Sequence, residues 1–255
     1  MKVLGIIPAR MSATRFPGKP MEKILGIPMI GHCYFRARLS SLINDLYIAT
    51  CDKIIYDYII SVGGKAVMTS DKHERATERT AEALKIIESE KSINYDIIVM
   101  MQGDEPLVDP TMIDDSIKPL IYDKKQVTNL MRRIDNLDEV NNPNNVKVVI
   151  DSKGNSIYMS REPIPSAKKF EKKIEFYRQL GIISFTRNAL IKFIKLETSS
   201  LEIIESIDMN RFIENRIPIF MVETKSEVDA VDTPIDLKRV TNKMKKDKLF
   251  QHYKK

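Results

Sequence analysis

Short apolar segments alternate with amphipathic segments four times in roughly the first 120 residues, and this alternation restricts the chain to very few folds. The apolar runs have strand length and cover residues 2–8, 46–50, 65–69 and 96–101. The amphipathic segments cover residues 28–40, 53–62 and 77–89, and Pro110 is placed to open a fourth helix. Strands that alternate with helices in this way predict an open, mainly parallel α/β sheet with right-handed connections.

The pattern changes from about residue 126. Residues 127–134, 146–150, 156–160 and 180–186 resemble strands with shorter connections and turn residues between them. We expect this half to add antiparallel strands, or a lobe for a second substrate. Helices are predicted over residues 188–195, 200–215 and 234–248, with a late strand at 217–222.

The formal net charge of +6 first suggests a protein that binds nucleic acid. Residues 238–255 contain eight of the 41 Lys and Arg but only one of the 35 Asp and Glu. The other 33 basic and 34 acidic residues leave the rest of the chain with a net charge of −1. We therefore expect no nucleic-acid partner, and we expect an enzyme to keep its turnover when residues 247–255 are deleted.

Other classes of protein fit the sequence poorly. No apolar run approaches the ~18–20 residues of a membrane span, so we expect no membrane insertion. The apolar start, residues 3–8, is too short for the core of a signal peptide. Two cysteines suit a cytoplasmic protein better than a disulfide framework, and three widely separated histidines make a His-rich metal site improbable.

The loop after the first predicted strand carries the strongest chemical pattern. Residues 8–20 (PARMSATRFPGKP) place Arg10, Arg15 and Lys19 among small residues and hydroxyl groups. Ligands bind beyond the carboxyl ends of strands in an open parallel sheet. Cations combined with exposed backbone N–H groups form a cradle for a polyphosphate. The alternative is a solvated basic loop without a ligand.

Two acidic segments could complete such a site. Gln102, Gly103 and Asp104 follow a buried strand directly, where a carboxylate is well placed to hold Mg²⁺ on a nucleotide phosphate. Asp232 could be a second metal ligand. The alternative for both aspartates is an N-cap of the helix that follows.

These segments, in this order, resemble the 3-deoxy-manno-octulosonate (Kdo) cytidylyltransferase family over roughly residues 1–245. The residues that carry the resemblance are IIPARMSATRFPGKP (6–20), GIPMIGH (26–32), MTS (68–70), HERATER (73–79), QGDEP (102–106), NPNNVKVV (142–149), YMSREPIP (158–165), LGI (180–182) and VDTPIDLKRV (231–240).

The resemblance implies a Rossmann-like, GT-A-like nucleotidyltransferase with a mixed sheet flanked by helices. It implies transfer of CMP from CTP to a sugar acid with release of pyrophosphate, and a homodimer. Within a single domain, about 1–125 and 217–248 would form the nucleotide-binding core, and about 126–216 a smaller antiparallel lobe for the acceptor and for dimerisation.

Site residues follow by the same resemblance. The catalytic residues would be Arg10, Lys19, Asp104 and Asp232, of which the two aspartates would bind Mg²⁺. The nucleotide-binding residues would be Pro8, Ala9, Arg10, Ser12, Ala13, Arg15, Lys19, Thr69, Ser70, Gln102 and Gly103. The acceptor-binding candidates are His73, Arg75, Gln102, Arg161, Gln179, Glu202 and Glu205.

The acceptor side departs from the family pattern at four positions. Arg75 and Ala76 stand where the family has Ser and Gly, and Gln179 stands for a His. Met209 lies in a helix motif in which the family's Glu-Gln-Leu-Arg reads Asp-Met-Asn-Arg. Such changes suggest a different acid as acceptor, such as another ulosonic acid, amino-Kdo or a phosphonate. Ordinary drift within true Kdo enzymes is the alternative, and a non-catalytic protein that binds anionic ligands is a more remote one.

Overall fold

The computed structural model describes residues 1–12, 16–166, 168–169 and 174–254. Strands β1 to β11 span, in chain order, Val3–Ala9, Lys23–Ile24, Ile27–Pro28, Asp45–Thr50, Ala66–Met68, Ile97–Met101, Val127–Ile134, Lys147–Ile150, Ser156–Ser160, Phe176–Thr186 and Phe220–Glu223. Helices α1 to α9 span Met29–Ala37, Lys53–Ser61, Ala76–Lys91, Pro110–Tyr122, Leu137–Asn141, Arg187–Phe193, Ser200–Glu205, Asn210–Glu214 and Pro234–Met244. Two 3₁₀ turns cover Lys19–Met21 and Leu249–His252.

The chain forms two compact units. The first comprises Met1–Asp114 and Glu227–Lys255, and the second comprises Asp115–Ser226. The division lies near the boundaries that were expected at residues 125 and 217, but the functional role of each part stays a prediction. Within the described residues, no helix combines the length and the apolar character that crossing a bilayer requires.

A parallel sheet forms the centre of the first unit and confirms the predicted α/β fold. Its strands follow the order β6-β1-β4-β5, and every neighbouring pair is parallel. Strand β1 lies between β6 and β4, and all seven of its residues are buried. A strand with neighbours on both sides and helices over both faces is apolar throughout, which is why the sequence shows a continuous run there.

A small hairpin, β2 and β3, follows the basic loop and escaped prediction from the sequence. Its two-residue turn places Leu25 at φ 49° and Gly26 at φ 90°, the left-handed region that tight hairpin turns require. The strands have two residues each, so no alternation of apolar and polar residues could reveal them.

The C-terminal segment packs against this hairpin and is not a free basic tail. Phe250 belongs to a buried cluster with Ile24 and Met244, and Tyr253 packs against the same cluster. The His32 ring donates through Nε2 to the carbonyl of Ile24 at 2.8 Å, and its Nδ1 lies 3.0 Å from the hydroxyl of Tyr253. Deleting residues 247–255 would remove these contacts, so we expect the deletion to lower stability, and the survival of turnover stays a prediction.

The second unit has the antiparallel pairs that its sequence predicted. Strand β10 pairs antiparallel with β7 and with β8, and β8 pairs antiparallel with β9, whereas β11 pairs parallel with β7. The single helix expected over residues 200–215 is wrong. It divides into α7 and α8 because Ser206 ends α7 in the left-handed conformation, at φ 54°. Ile207, Met209 and Phe212 after this break are buried, whereas Ile203 and Ile204 before it are exposed.

Candidate nucleotide site

A cavity of about 340 Å³ opens at the carboxyl edge of the parallel sheet in the first unit. It lies where β1 and β6 end, as ligand sites do in open parallel sheets. The residues that line it are Pro8, Ala9, Arg10, Ser12, Phe16, Lys19, Pro20, His73, Glu74, Arg75, Ala76, Arg79, Gln102, Gly103, Asp104 and Asp232. The lining therefore contains residues predicted from all three polar segments of the sequence.

Three charged side chains from distant parts of the chain converge in this cavity. The Lys19 ammonium donates to Asp104 Oδ2 at 2.7 Å and to Asp232 Oδ1 at 3.4 Å. It also donates to the carbonyl of Val231 at 2.9 Å. Burial alone would lower the pKa of Lys19, but the two carboxylates outweigh it and hold the pKa above its ordinary value.

Backbone contacts hold the two acidic segments together. The Val231 N–H donates to the carbonyl of Asp104 at 2.9 Å. Gly103 lies so close to β1 that an added Cβ would be 3.2 Å from the carbonyl oxygen of Pro8 and 3.1 Å from Ile30 Cδ1. The absence of a side chain at Gly103 thus allows the segment after β6 to pass close to the end of β1.

The structure also decides whether the two aspartates are helix caps. Thr233 is the N-cap of α9, and its side chain and that of Asp236 form a capping box. Near the start of α4, Asp109 accepts the Thr111 N–H at 2.9 Å. Neither Asp104 nor Asp232 is therefore needed as a cap, and both carboxylates lie at the cavity instead.

The basic loop is positioned by two backbone contacts. The Met11 N–H donates to Asp52 Oδ2 at 2.8 Å, and the Gly18 N–H donates to the Met11 carbonyl at 3.0 Å. Gly18 has φ 77°, which directs the chain into the 3₁₀ turn that begins with Lys19. Ala13 and Arg15, both predicted to bind the nucleotide, lie outside the described residues.

The segment between β5 and α3 forms another wall of the cavity. Thr69 and Ser70 follow β5 at the same edge of the sheet. Glu82 Oε2 accepts the Ser70 N–H at 2.9 Å and lies 2.6 Å from His73 Nε2. The His73 carbonyl in turn accepts Arg10 Nη1 at 3.4 Å. Glu82 therefore holds this wall next to the basic loop.

Arg79 is a cavity residue that the sequence interpretation missed. Its side chain is 3% exposed, and Nη1 donates to Thr69 Oγ1 at 2.6 Å and to the Ser70 carbonyl at 3.0 Å. Its Nη2 is buried and has no hydrogen-bond partner within the described part of the chain. The clue in the sequence was an arginine on a buried side of α3, one helical turn before Ala83.

The remaining acceptor candidates, Arg161, Gln179, Glu202 and Glu205, belong to the second unit. Gln179 donates through Nε2 to Asn129 Oδ1 at 2.6 Å. Arg161 Nε donates to the carbonyl of Glu205 at 2.7 Å. Burial raises the pKa of Glu205, but hydrogen bonds from the Arg161 N–H, the Ser160 hydroxyl and Tyr158 hold that pKa below its ordinary value.

Glu202 has a different environment from the other acceptor candidates. It is completely buried, and Arg211 Nε and Nη2 each donate to one of its carboxylate oxygens at 2.6 Å. The same carboxylate accepts the Ser199 N–H at the start of α7. These contacts form a buried ion pair that occupies both carboxylate oxygens of Glu202.

Comparison with known proteins identifies close relatives over nearly the whole chain. Residues 4–225 match the family model described as Cytidylyltransferase. A 3-deoxy-manno-octulosonate cytidylyltransferase of Fusobacterium nucleatum is 40% identical, covering 98% of this chain and 99% of that protein. The enzyme of the same name from Geotalea uraniireducens is 38% identical, covering 96% of this chain and all of the relative.

Solved structures agree with these relatives. A CMP:2-keto-3-deoxy-manno-octonic acid synthetase, solved in complex with CTP, superimposes with a TM-score of 0.88 at 32% identity. The match covers 96% of this chain and 99% of that structure. A cytidylyltransferase from Leptospira borgpetersenii, at 18% identity and a TM-score of 0.62, shares the fold.

Proposed function

This chain belongs to the 3-deoxy-manno-octulosonate cytidylyltransferase family, and from this premise we propose that it transfers CMP from CTP to Kdo and releases pyrophosphate. The observation that carries the proposal is the convergence of Lys19, Asp104 and Asp232 in a cavity that Arg10 also lines. Cations for a polyphosphate and carboxylates for a metal ion are the groups that this chemistry needs.

Enzymes of this class use a divalent cation, and we propose Mg²⁺. The Lys19 ammonium lies 2.7 Å from Asp104 Oδ2 and 3.4 Å from Asp232 Oδ1, so both carboxylates lie close to a single cation position. Among the described residues, no group of three or more His, Cys, Asp or Glu could hold a metal ion. Two carboxylates with substrate phosphates and water are the usual ligands of Mg²⁺, so these residues fit the ion. When bound there, Mg²⁺ would neutralise phosphate charge.

The residues of the chain itself would act by position and by charge. The oxygen of the acceptor hydroxyl attacks the α-phosphorus and its proton passes to solvent water. A new P–O bond forms, and the bond to the β-phosphate oxygen breaks as pyrophosphate leaves. We propose that Arg10 and Lys19 bind the triphosphate and stabilise the negative charge that the leaving group gains. Pro8, Ala9, Ser12, Gln102 and Gly103 line the same cavity and would shape it around the nucleotide.

We propose that Arg79, together with Thr69 and Ser70, binds the base end of the nucleotide. The strand order β6-β1-β4-β5 separates β5 from β6 by three strand spacings, or roughly 14 Å at about 4.8 Å per strand. The polyphosphate residues follow β1 and β6, whereas Thr69 follows β5. A buried guanidinium beside Thr69 is therefore suited to donate hydrogen bonds to an acceptor on the base or the ribose.

Replacing Arg79 by glutamine should raise the KM for CTP about 10–100-fold and change kcat much less. The reason is that the lost donor serves nucleotide binding, while the groups around the phosphates stay intact. Steady-state kinetics with varied CTP measure this. Lys85→Gln, which removes an exposed cation from the same helix, is the matched control and should leave KM unchanged. An equal KM in the Arg79 and Lys85 variants would contradict the assignment.

The acceptor residues remain proposals. His73 and Arg75 line the cavity, and Arg161, Gln179 and Glu205 remain acceptor candidates by family resemblance. Relatives named for Kdo at 38–40% identity favour drift over a changed acceptor as the reason for the departures at positions 75, 76, 179 and 209. The homodimer also stays a prediction. We propose the cytoplasm as the compartment, which the free thiols of Cys33 and Cys51 support.

The proposed function is tested by incubating the protein with CTP, Mg²⁺ and a panel of acids and measuring pyrophosphate release. The panel contains Kdo, amino-Kdo, another ulosonic acid and a phosphonate. We expect the highest kcat/KM with Kdo. A clear preference for another acid would support a changed acceptor, and no release with any acid would contradict the proposed enzyme. UTP in place of CTP serves as the control for the donor.

A further inference from the structure

The Lys19 ammonium uses all of its hydrogen-bonding capacity on the acidic end of the cavity. Its three donors are directed to Asp104 Oδ2, Asp232 Oδ1 and the Val231 carbonyl, at 2.7, 3.4 and 2.9 Å. The exposed fractions of the three side chains are only 15% for Lys19, 25% for Asp104 and 29% for Asp232. Half of the negative charge of the two carboxylates is therefore offset by a cation that belongs to the chain.

We propose that Lys19 competes with the divalent cation for these two carboxylates, so that the cation binds well only when a nucleotide draws Lys19 away. The inference rests on the proposed function for the identity of the nucleotide. Mg²⁺ demands oxygen ligands at about 2.0–2.1 Å. An ammonium on the same oxygens would occupy their lone pairs and repel the incoming ion, so the two cations exclude each other.

The position of Lys19 in the chain allows such an exchange. It begins a 3₁₀ turn of three residues at the end of the basic loop, directly after Gly18. A lysine is a compact charge on a flexible stem, so it can change partners without moving its backbone far. A triphosphate in the cavity offers it several anionic oxygens in exchange for the two carboxylates.

This competition couples the two ligands. The nucleotide removes the internal cation and so raises the affinity for the metal ion, and by linkage the metal ion raises the affinity for the nucleotide by the same factor. Lys19 would thereby prevent the enzyme from holding a divalent cation that has no phosphate to act on. The carboxylates, meanwhile, would not repel each other before the substrate arrives.

The test is direct binding of Mn²⁺, measured by electron paramagnetic resonance with and without CTP and in the absence of any acceptor. Mn²⁺ is suitable because it accepts the same oxygen ligands. We expect Lys19→Met to bind Mn²⁺ without nucleotide at least about 10-fold more tightly than the unmodified protein. Lys19→Met combined with Asp104→Asn should lose this gain. Lys23→Met, which removes an exposed lysine from β2, should bind like the unmodified protein.

Thermal stability gives a second measurement that does not depend on binding spectra. Removing the ammonium leaves two carboxylates facing each other, so Lys19→Met should melt at a lower temperature, and Mg²⁺ should restore the loss. The melting temperature of the unmodified protein should respond much less to Mg²⁺ alone. If Lys19→Met folds poorly, both measurements are repeated with Lys19→Gln.

The inference is overturned if the unmodified protein and both Lys19 variants bind Mn²⁺ equally well without nucleotide. It is also overturned if CTP leaves the Mn²⁺ affinity of the unmodified protein unchanged. The nucleotide-free measurements require no turnover. A gain in Mn²⁺ affinity in Lys19→Met, combined with no pyrophosphate release by the unmodified protein with any acid, would contradict the proposed function and leave the competition intact.

Discussion

Replacing Asp104 by asparagine is expected to lower kcat about 10³-fold, or roughly 4 kcal/mol of transition-state stabilisation. The substitution preserves the shape of the side chain but removes one of the two negative charges that converge on Lys19, at 2.7 and 3.4 Å. With one carboxylate instead of two, the cavity would hold a divalent cation weakly. Lys19 would also lose its shorter ion pair. Pyrophosphate release at saturating CTP and Mg²⁺ measures the effect.

The matched control for this prediction is Asp115→Asn. Asp115 makes an exposed ion pair with Lys118 at 2.7 Å, a type of contact that contributes little to stability. Its variant should keep the kcat of the unmodified protein. If Asp104→Asn stays within a few-fold of Asp115→Asn while both fold normally, the acidic pair is not the metal site and the proposed mechanism fails.

Replacing Glu202 by alanine is expected to lower the free energy of unfolding by about 3–5 kcal/mol. The change leaves the Arg211 guanidinium, which is 3% exposed, without the carboxylate that both of its donors contact at 2.6 Å. Arg211 also packs over the Phe193 ring, 4.2 Å from its centroid, so it is not free to turn towards water. Removing one partner of a buried pair costs more than the pair contributes, because the other partner's charge stays in the interior without that carboxylate. Urea denaturation followed by circular dichroism measures the loss.

Glu197→Ala is the control, since Glu197 is exposed and precedes the same helix. It should change the unfolding free energy by less than about 0.5 kcal/mol. The comparison also decides between the two roles considered for Glu202. A Glu202→Ala protein of normal stability that has lost selectivity for its acceptor would restore the role that the sequence suggested and contradict the structural one.

The sequence predicted the first unit better than the second, and the reason is physical. Strands β1 and β6 of the first unit are buried on both faces, so they appear as uninterrupted apolar runs. In the second unit β7 and β9 have the predicted bounds, but the single helix predicted over residues 200–215 is wrong. The break after α7 depends on one residue, Ser206, in a left-handed conformation. A periodicity averaged over a whole helix cannot detect a change of direction at a single residue.

The candidate site shows the same division between local and distant information. The sequence by itself determined the chemical groups of the site, because each group belongs to a short segment with its own pattern. These segments are the cations after β1, the acid after β6 and the acid before α9. Only the tertiary structure decided how these groups pair, since Lys19 meets Asp104 and Asp232 across 85 and 213 residues of chain.

The same limit explains the contacts that could not be predicted from the sequence. Arg79 has donors directed to Thr69, and Tyr253 contacts His32 across 221 residues, so neither contact leaves a trace in the neighbouring sequence. Glu202 has a carboxylate that could bind a ligand. A charge in the interior is stable only beside an opposite charge, however, and here the guanidinium of Arg211 is that opposite charge. Composition and spacing determine which groups a segment offers, whereas packing alone determines whether each group faces a ligand or another part of the chain.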